Sequence, residues 1–149
     1  MTPEEFNIWM EGKIKEIPKK VIEPSAQELI NAVRNRVIDR GLSSNRNLFS
    51  AYSDSYRKQK SKRHPSVTFK NFSDTNKMWE SFKPQEIIYG VGEMTIKAYM
   101  NNDDRDGITN QGLVEVHSDY ERKEIIAATE QEVERMNKYA NERMTELWA

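Results

Sequence analysis

FSDTNKMWESFKPQEIIYGVGEMTIKAY, residues Phe72 to Tyr99, is the stretch of this 149-residue chain where short apolar runs and tight turn signals together point to a sheet. Ile87, Ile88 and Tyr89 form a brief β-prone run. Gly90-Val91-Gly92-Glu93 reads as a turn, and Met94, Ile96 and Ala98 then alternate with Thr95, Lys97 and Tyr99. A period of two sends the first three side chains to one face and the second three to the other. The two glycines permit the positive φ angles that a tight hairpin requires. A lone hairpin is marginal in water and needs a third strand or a covering helix. The expectation is therefore an α+β fold, with a small antiparallel sheet of three to four strands packed against two N-terminal helices and a long C-terminal helix. Val67-Thr68-Phe69 is the candidate first strand, and Gly112 to His117 a short return that adds an edge strand. Met78, Trp79 and Phe82 fit either a helical turn or an extended segment ahead of Pro84.

Outward from this stretch the chain reads as helix. Thr2-Pro3-Glu4-Glu5 combines a hydroxyl cap, a proline at the first helical position and a glutamate three after the cap. Phe6, Met10, Ile14 and Ile17 follow on one stripe with Trp9 at its edge, and Pro18 is expected to end the helix. Pro24-Ser25 then reads as the start of a second helix, with Ser25 and Glu28 as a capping box. Ala26, Leu29, Ile30, Val33, Val37 and Ile38 make its apolar stripe, and Gly41 stands where a C-terminal glycine belongs. Leu42 to Asn47 is a polar loop; Leu48, Phe49, Tyr52 and Tyr56 suit a short helix or turn against the core. On the far side, Asn101 to Gln111 is a polar loop. Ser118-Asp119-Tyr120-Glu121 reads as a third capping box, opening a helix whose stripe (Ile126, Thr129, Val133, Met136, Ala140, Met144, Leu147) continues almost to the end.

The bulk composition suits one domain, 1–149, that buries roughly two-thirds of its unfolded surface. Residues 1–23 form a helical extension to the core at 24–149. Hydrophobic residues are 36% and charged residues 32%, with a mean hydropathy of −0.89, so the surface is very polar. No apolar run approaches the ~20 residues of a membrane span, and MTPEEFNIWMEGK lacks the basic start and apolar middle of a signal peptide. The absence of cysteine excludes disulfides and thiolate metal sites, and is compatible with a reducing compartment. The net charge of −1 conceals an asymmetry. Arg34 to Arg63 holds nine Arg or Lys against two Asp, and Asp103 to Arg135 ten Asp or Glu against four Arg or Lys. Such a subunit has the charge pattern to pair head to tail with its own copies; the alternative is a set of solvated faces.

No catalytic site emerges. Asn102, Asp104, Asp106 and Gly107 match the first positions of a calcium loop, but position 12, where a bidentate Glu is needed, is Leu113. His64 and His117 lack metal-ligand spacing. Gly90-x-Gly92 has neither the third glycine nor the following helix of a phosphate loop, and no nucleophile elbow is present. No cofactor is expected. The binding candidate is the basic run Arg57, Lys58, Lys60, Lys62 and Arg63, ending at His64 and interleaved with Tyr52 and Tyr56, a pattern that suits phosphates and stacked bases. The same tyrosines also suit the apolar side of that segment. Trp148 is a candidate anchor for a partner.

The order of features from Arg36 to about Glu134 resembles the tail-completion (neck, or head–tail joining) proteins of tailed bacteriophages. The resemblance lies in Tyr52-Ser53-Asp54-Ser55-Tyr56-Arg57-Lys58-Gln59-Lys60, then Thr75-Asn76-Lys77-Met78-Trp79-Glu80-Ser81-Phe82, the hairpin Ile87 to Tyr99, a polar loop from Met100 to His117, and an acidic helix from Ser118. Asn76 stands where the family has glycine, and the family's histidine and glycine after the second hairpin strand have no clear counterpart. The first helix is not covered by the likeness. The resemblance implies a non-enzymatic ring subunit joining the portal-side connector to the tail, found in the virion after assembly in the host bacterial cytoplasm. It implies sheets side by side in a homo-oligomeric ring, a loop reaching a neighbour, DNA passing through the lumen without specific binding, and no membrane. The contacts expected are the basic run, the hairpin edge at Thr95 and Lys97, and the loop carrying Asp103, Asp104, Arg105 and Asp106. The alternative is a small basic-patch nucleic-acid-binding module; a third class is a nuclease or hydrolase with a carboxylate-bound metal.

Overall fold

A computed structural model describes residues 1–62, 70, 72, 77–90, 93–100, 104–105, 108–122 and 124–149. Thr2 caps the first helix as the local sequence requires. Its Oγ1 accepts from the Glu5 N–H at 3.2 Å, and the Glu5 carboxylate accepts from the Thr2 N–H at 2.6 Å. Helix α1 spans Pro3–Ile17, but Pro18 does not end it. The backbone stays right-handed helical through a π-helical turn, Pro18–Ile22, into α2, Glu23–Arg40. A proline lacks an N–H and its ring crowds the carbonyl four residues back. The backbone nevertheless stays helical across Pro18, and the wider turn that follows, in which the Glu23 N–H reaches the Pro18 carbonyl, carries the rod on into α2. Ser25 is accordingly no cap: it is buried inside the helix, and its Oγ donates to the Val21 carbonyl at 2.6 Å.

The α2 stripe is buried as its spacing demands, with Ala26, Ile30, Val33 and Val37 inside. Gly41 ends the helix at φ 63°, ψ 34°, its N–H shared between the Arg36 and Val37 carbonyls. Helix α3 is Asp54–Ser61, capped by Ser53. Helix α4, Lys77–Glu80, settles the Met78–Trp79 segment as a helical turn.

Strands β1 (Lys83–Gly90) and β2 (Glu93–Tyr99) form the expected antiparallel hairpin, with Ile87 opposite Ile96 and Ile88 opposite Thr95. Gly90 faces Glu93, so the connection is two residues long. A bulge between Pro84 and Glu86 resets the register, confining a proline that cannot donate to the irregular end of the ladder. The polar loop carries a further two-residue ladder, β3 (Asp104–Arg105) with β4 (Ile108–Thr109). Among the described residues the hairpin sheet therefore has two strands. Val67 to Phe69 lies outside the described residues, as does the turn pair Val91-Gly92.

The expected return strand at Gly112 to His117 is instead part of helix α5, Asn110–Glu121. Leu113, Val114, His117 and Glu121 recur at helical spacing, and the Thr109 hydroxyl accepts from the Gly112 N–H at 3.0 Å. Ser118 is thus interior to a helix rather than its cap. Arg122 closes α5 in the left-handed region, and the last helix, α6 (Glu130–Trp148), starts at its own capping box of Thr129 and Glu132.

Helix α6 runs antiparallel to the long rod. Glu132 meets Arg36, Arg135 meets Glu28, and the Leu147 carbonyl accepts from Lys13 Nζ at 2.6 Å. The main core lies to the side of this pair, where Ile30, Val33 and Val37 meet Phe49, Met78, Trp79, Phe82, Met100, Val114 and Ile125. No helix among the described residues is long and apolar enough to cross a membrane.

Candidate interaction surfaces

The hairpin presents two chemically distinct faces because its register is fixed by burial. Ile87, Ile96 and Ala98 turn inward, while Glu86, Thr95, Lys97 and Tyr99 stay exposed and Ile88 is half-exposed. Glu86 and Lys97 pair across the strands at 3.0 Å on this outer face. Both Thr95 and Lys97 therefore stand on the solvent side, as the alternation in sequence predicts. Of the loop residues, Asp104 and Arg105 form β3, while Asp103 and Asp106 lie outside the described residues.

The basic run does not form a single face. Arg57, Lys58 and Lys62 are exposed, and Arg57 is held by Asp54 at 2.9 Å. Lys60 turns the other way. It is 2% exposed, donates to the Tyr52 hydroxyl at 2.8 Å and lies 4.5 Å from the centre of that ring. The cause is helical spacing: Tyr56 and Lys60 are four apart and share the inner side of α3, where Tyr56 packs on Tyr52 at 5.0 Å. Arg63 and His64 lie outside the described residues.

Behind α3 lies a buried charge cluster with no local sequence signal. Glu121, at the last turn of α5, accepts from Lys70 Nζ at 2.6 Å and from Ser50 twice, from Oγ at 2.6 Å and from the backbone N–H at 2.9 Å. Burial pushes the Glu121 carboxyl up, but the Lys70 ammonium and the two Ser50 donors outweigh it and hold it below the ordinary glutamate range. The rings of Tyr120, Phe72 and Tyr52 surround Lys70 Nζ at 5.0, 5.4 and 5.9 Å. His117 stacks on Phe72 at 4.9 Å; burial, with Lys70 nearby, holds its pKa below the usual value against the opposing pull of Glu121. These residues span more than seventy positions, so only the fold brings them together. They fix α5 against the segment leading to α3.

Trp148 is half-buried. Trp9 meets it edge-on at 5.7 Å, and its indole N–H points to the Met144 sulfur at 3.1 Å. Around this contact α1 leaves Phe6, Ile8, Trp9 and Ile14 exposed to different degrees. Among the described residues no group of three or more His, Asp or Glu is placed to hold a metal.

Comparison with known proteins adds no family to these surfaces: no family profile, no curated protein and no solved structure matches the chain.

Proposed function

We propose that the chain is a structural subunit of an oligomeric ring at a phage head-to-tail junction, of the neck or tail-completion type, joining the portal-side connector to the tail. The observation that carries this reading is the β1–β2 hairpin. Among the described residues its strands pair only with each other, and its outer face is formed by Ile88, Thr95, Lys97 and Tyr99. A strand edge of this kind is a liability in an isolated molecule and an asset in a ring. In this reading the hairpin sheets of neighbouring copies lie side by side, and the loop around Asp103 to Asp106 contacts the next subunit or the tail. The chain works without a cofactor, as part of the virion, with DNA passing through the lumen.

The test is genetic and particle-based. Deleting the chain's gene leaves filled heads and free tails, and the wild-type chain restores joining. A double variant Ile88→Glu, Tyr99→Glu on the outer face folds but fails to restore it. Joined particles formed without the chain, or purified particles that do not contain it, overturn the reading.

The second reading, a basic-patch nucleic-acid-binding module, rests on the exposed Arg57, Lys58 and Lys62 of α3. Duplex binding that weakens with salt and is lost on neutralising those three charges would favour it.

A further inference from the structure

Where the C-terminal end of α2 meets the start of α6, the surface folds inward into a cleft of about 320 Å³. Its walls carry four arginines, Arg36, Arg40, Arg46 and Arg135, against one carboxylate, Glu132. The volume is at the lower end of the roughly 300–1,000 Å³ typical of small-ligand sites. We propose that this cleft binds a phosphoryl group, with Arg40 and Arg46 as its principal donors and Arg135 at its rim.

The four guanidiniums are not equivalent. Arg36 is fully committed to the fold: Nε donates to Glu132 at 2.8 Å, and its two terminal nitrogens donate to the Leu42 and Ala127 carbonyls at 3.0 and 2.7 Å. It forms a rigid floor and consumes the one acid in the cleft. Arg135 is held by Glu28 at 3.2 Å in a largely exposed pair that a stronger anion can replace. Among the described residues, no acid lies within ion-pair distance of Arg40 or Arg46, so two residues that line the cleft carry guanidinium charge without an ion-pair partner. Arg46 is also held in the left-handed region, φ 64°, a conformation that costs a non-glycine residue energy and so marks a position imposed by its surroundings. The turn enforcing it is closed by Ser43 N–H to the Asn47 carbonyl and Arg46 N–H to the Ser43 carbonyl, each 2.9 Å. Gln131, in the first turn of α6, adds an amide to the same cleft. Two free guanidinium forks match a phosphate dianion in charge and in bidentate geometry, where a single carboxylate would leave one fork unpaired.

The phosphoryl group belongs either to a small phosphorylated molecule or to a nucleic-acid backbone. Calorimetric titration of the full chain with inorganic pyrophosphate and with a short DNA duplex, at low and raised salt, separates them. Pyrophosphate is expected to bind saturably at one site, and Arg40→Gln with Arg46→Gln to weaken it at least about tenfold per arginine removed. Both side chains are exposed, so the melting temperature without pyrophosphate should stay unchanged, and Arg46→Lys should recover part of the affinity. Duplex binding that pyrophosphate displaces, with a salt slope smaller by about two in the double variant, assigns the group to a backbone. Pyrophosphate binding without duplex binding assigns it to a small molecule. The proposal fails if neither probe saturates at low salt. It fails equally if binding survives the double variant but is lost in Arg57→Gln with Lys58→Gln on α3. A double variant that changes only the oligomeric state also overturns it, since the arginines then seat an acidic segment of a second copy. None of these results depends on whether the chain joins heads to tails.

Discussion

Helices α1 and α2 belong to one unbroken rod, yet they meet different surroundings. Both carry an apolar stripe at helical spacing, but α2 buries six of its residues and α1 none. Ile30 is 1% exposed and Ile14 52%. The difference lies in what packs alongside. Helix α6 and the core elements flank α2, whereas α6 touches α1 at Lys13 and through Trp148 on Trp9 and buries none of its residues fully. Periodicity therefore identifies a face that is able to pack, and the position of the antiparallel partner decides whether it does.

The largest effect expected is at the α2–α6 junction. Arg36→Ala should cost about 3–5 kcal/mol, because it takes from the half-buried Glu132 its ion-pair partner and strips donors from the Leu42 and Ala127 carbonyls. Arg36→Met, combined with Glu132→Met, should cost much less, since a packed apolar pair removes both charges together. Denaturant unfolding measures both, and equal losses would mean that the ion pair contributes nothing beyond its volume. Next comes Ile30→Ala on the buried part of the rod, expected to cost about 2–5 kcal/mol through lost burial and a cavity. A loss under about 1 kcal/mol would show that the α2 face is not the tightly packed one.

This contrast also separates what was legible in the sequence from what was not. The hairpin faces, the α2 stripe and the Gly41 stop follow from local rules, and the structure bears them out. Pro18 departs from the rule that proline ends a helix: the backbone stays right-handed helical across it and continues as a π-helical turn, which no local signal marks. The Ser118–Glu121 pattern is no capping box because both residues lie inside α5, where Glu121 pairs with Lys70, fifty-one residues away. The last helix starts instead at Thr129 and Glu132, a box masked in the sequence because Thr129 also fits the helical stripe. Lys60 looked like a surface charge in a basic run, yet its spacing of four from Tyr56 was a readable sign that it turns inward. The arginine cleft had no sequence signature, because Arg40, Arg46 and Arg135 converge only through the antiparallel path of α6.

The Glu121 cluster gives an intermediate, pH-dependent effect that distinguishes the α5 region from the rod. Its folded carboxyl is held below the ordinary value of 4.5, so the stabilisation it provides is present above that value and is lost as pH falls through the folded one. His117 acts in the same direction at higher pH. Its folded pKa lies below 6.5, so the unfolded chain takes up a proton first and stability declines as pH drops from 6.5 towards the folded value. Thermal melts should thus show a two-stage decline on acidification. Glu121→Gln should flatten the lower stage and His117→Phe the upper, and a single unresolved decline in all three proteins would refute the assignment.

The smallest effect expected is the most informative about α1. Ile14→Ala should change stability by no more than about 0.5 kcal/mol, the ordinary range for an exposed site. Trp9→Ala should cost somewhat more, about 0.5–1.5 kcal/mol, through loss of the edge-on contact with Trp148. The order of the two matters more than either value, because Ile14 and Trp9 differ chiefly in whether α6 reaches them. If Ile14→Ala instead costs as much as Ile30→Ala, and the cost grows with protein concentration, α1 is covered in solution by another chain. The two halves of the rod would then differ in the source of their packing, one internal and one supplied by a neighbour.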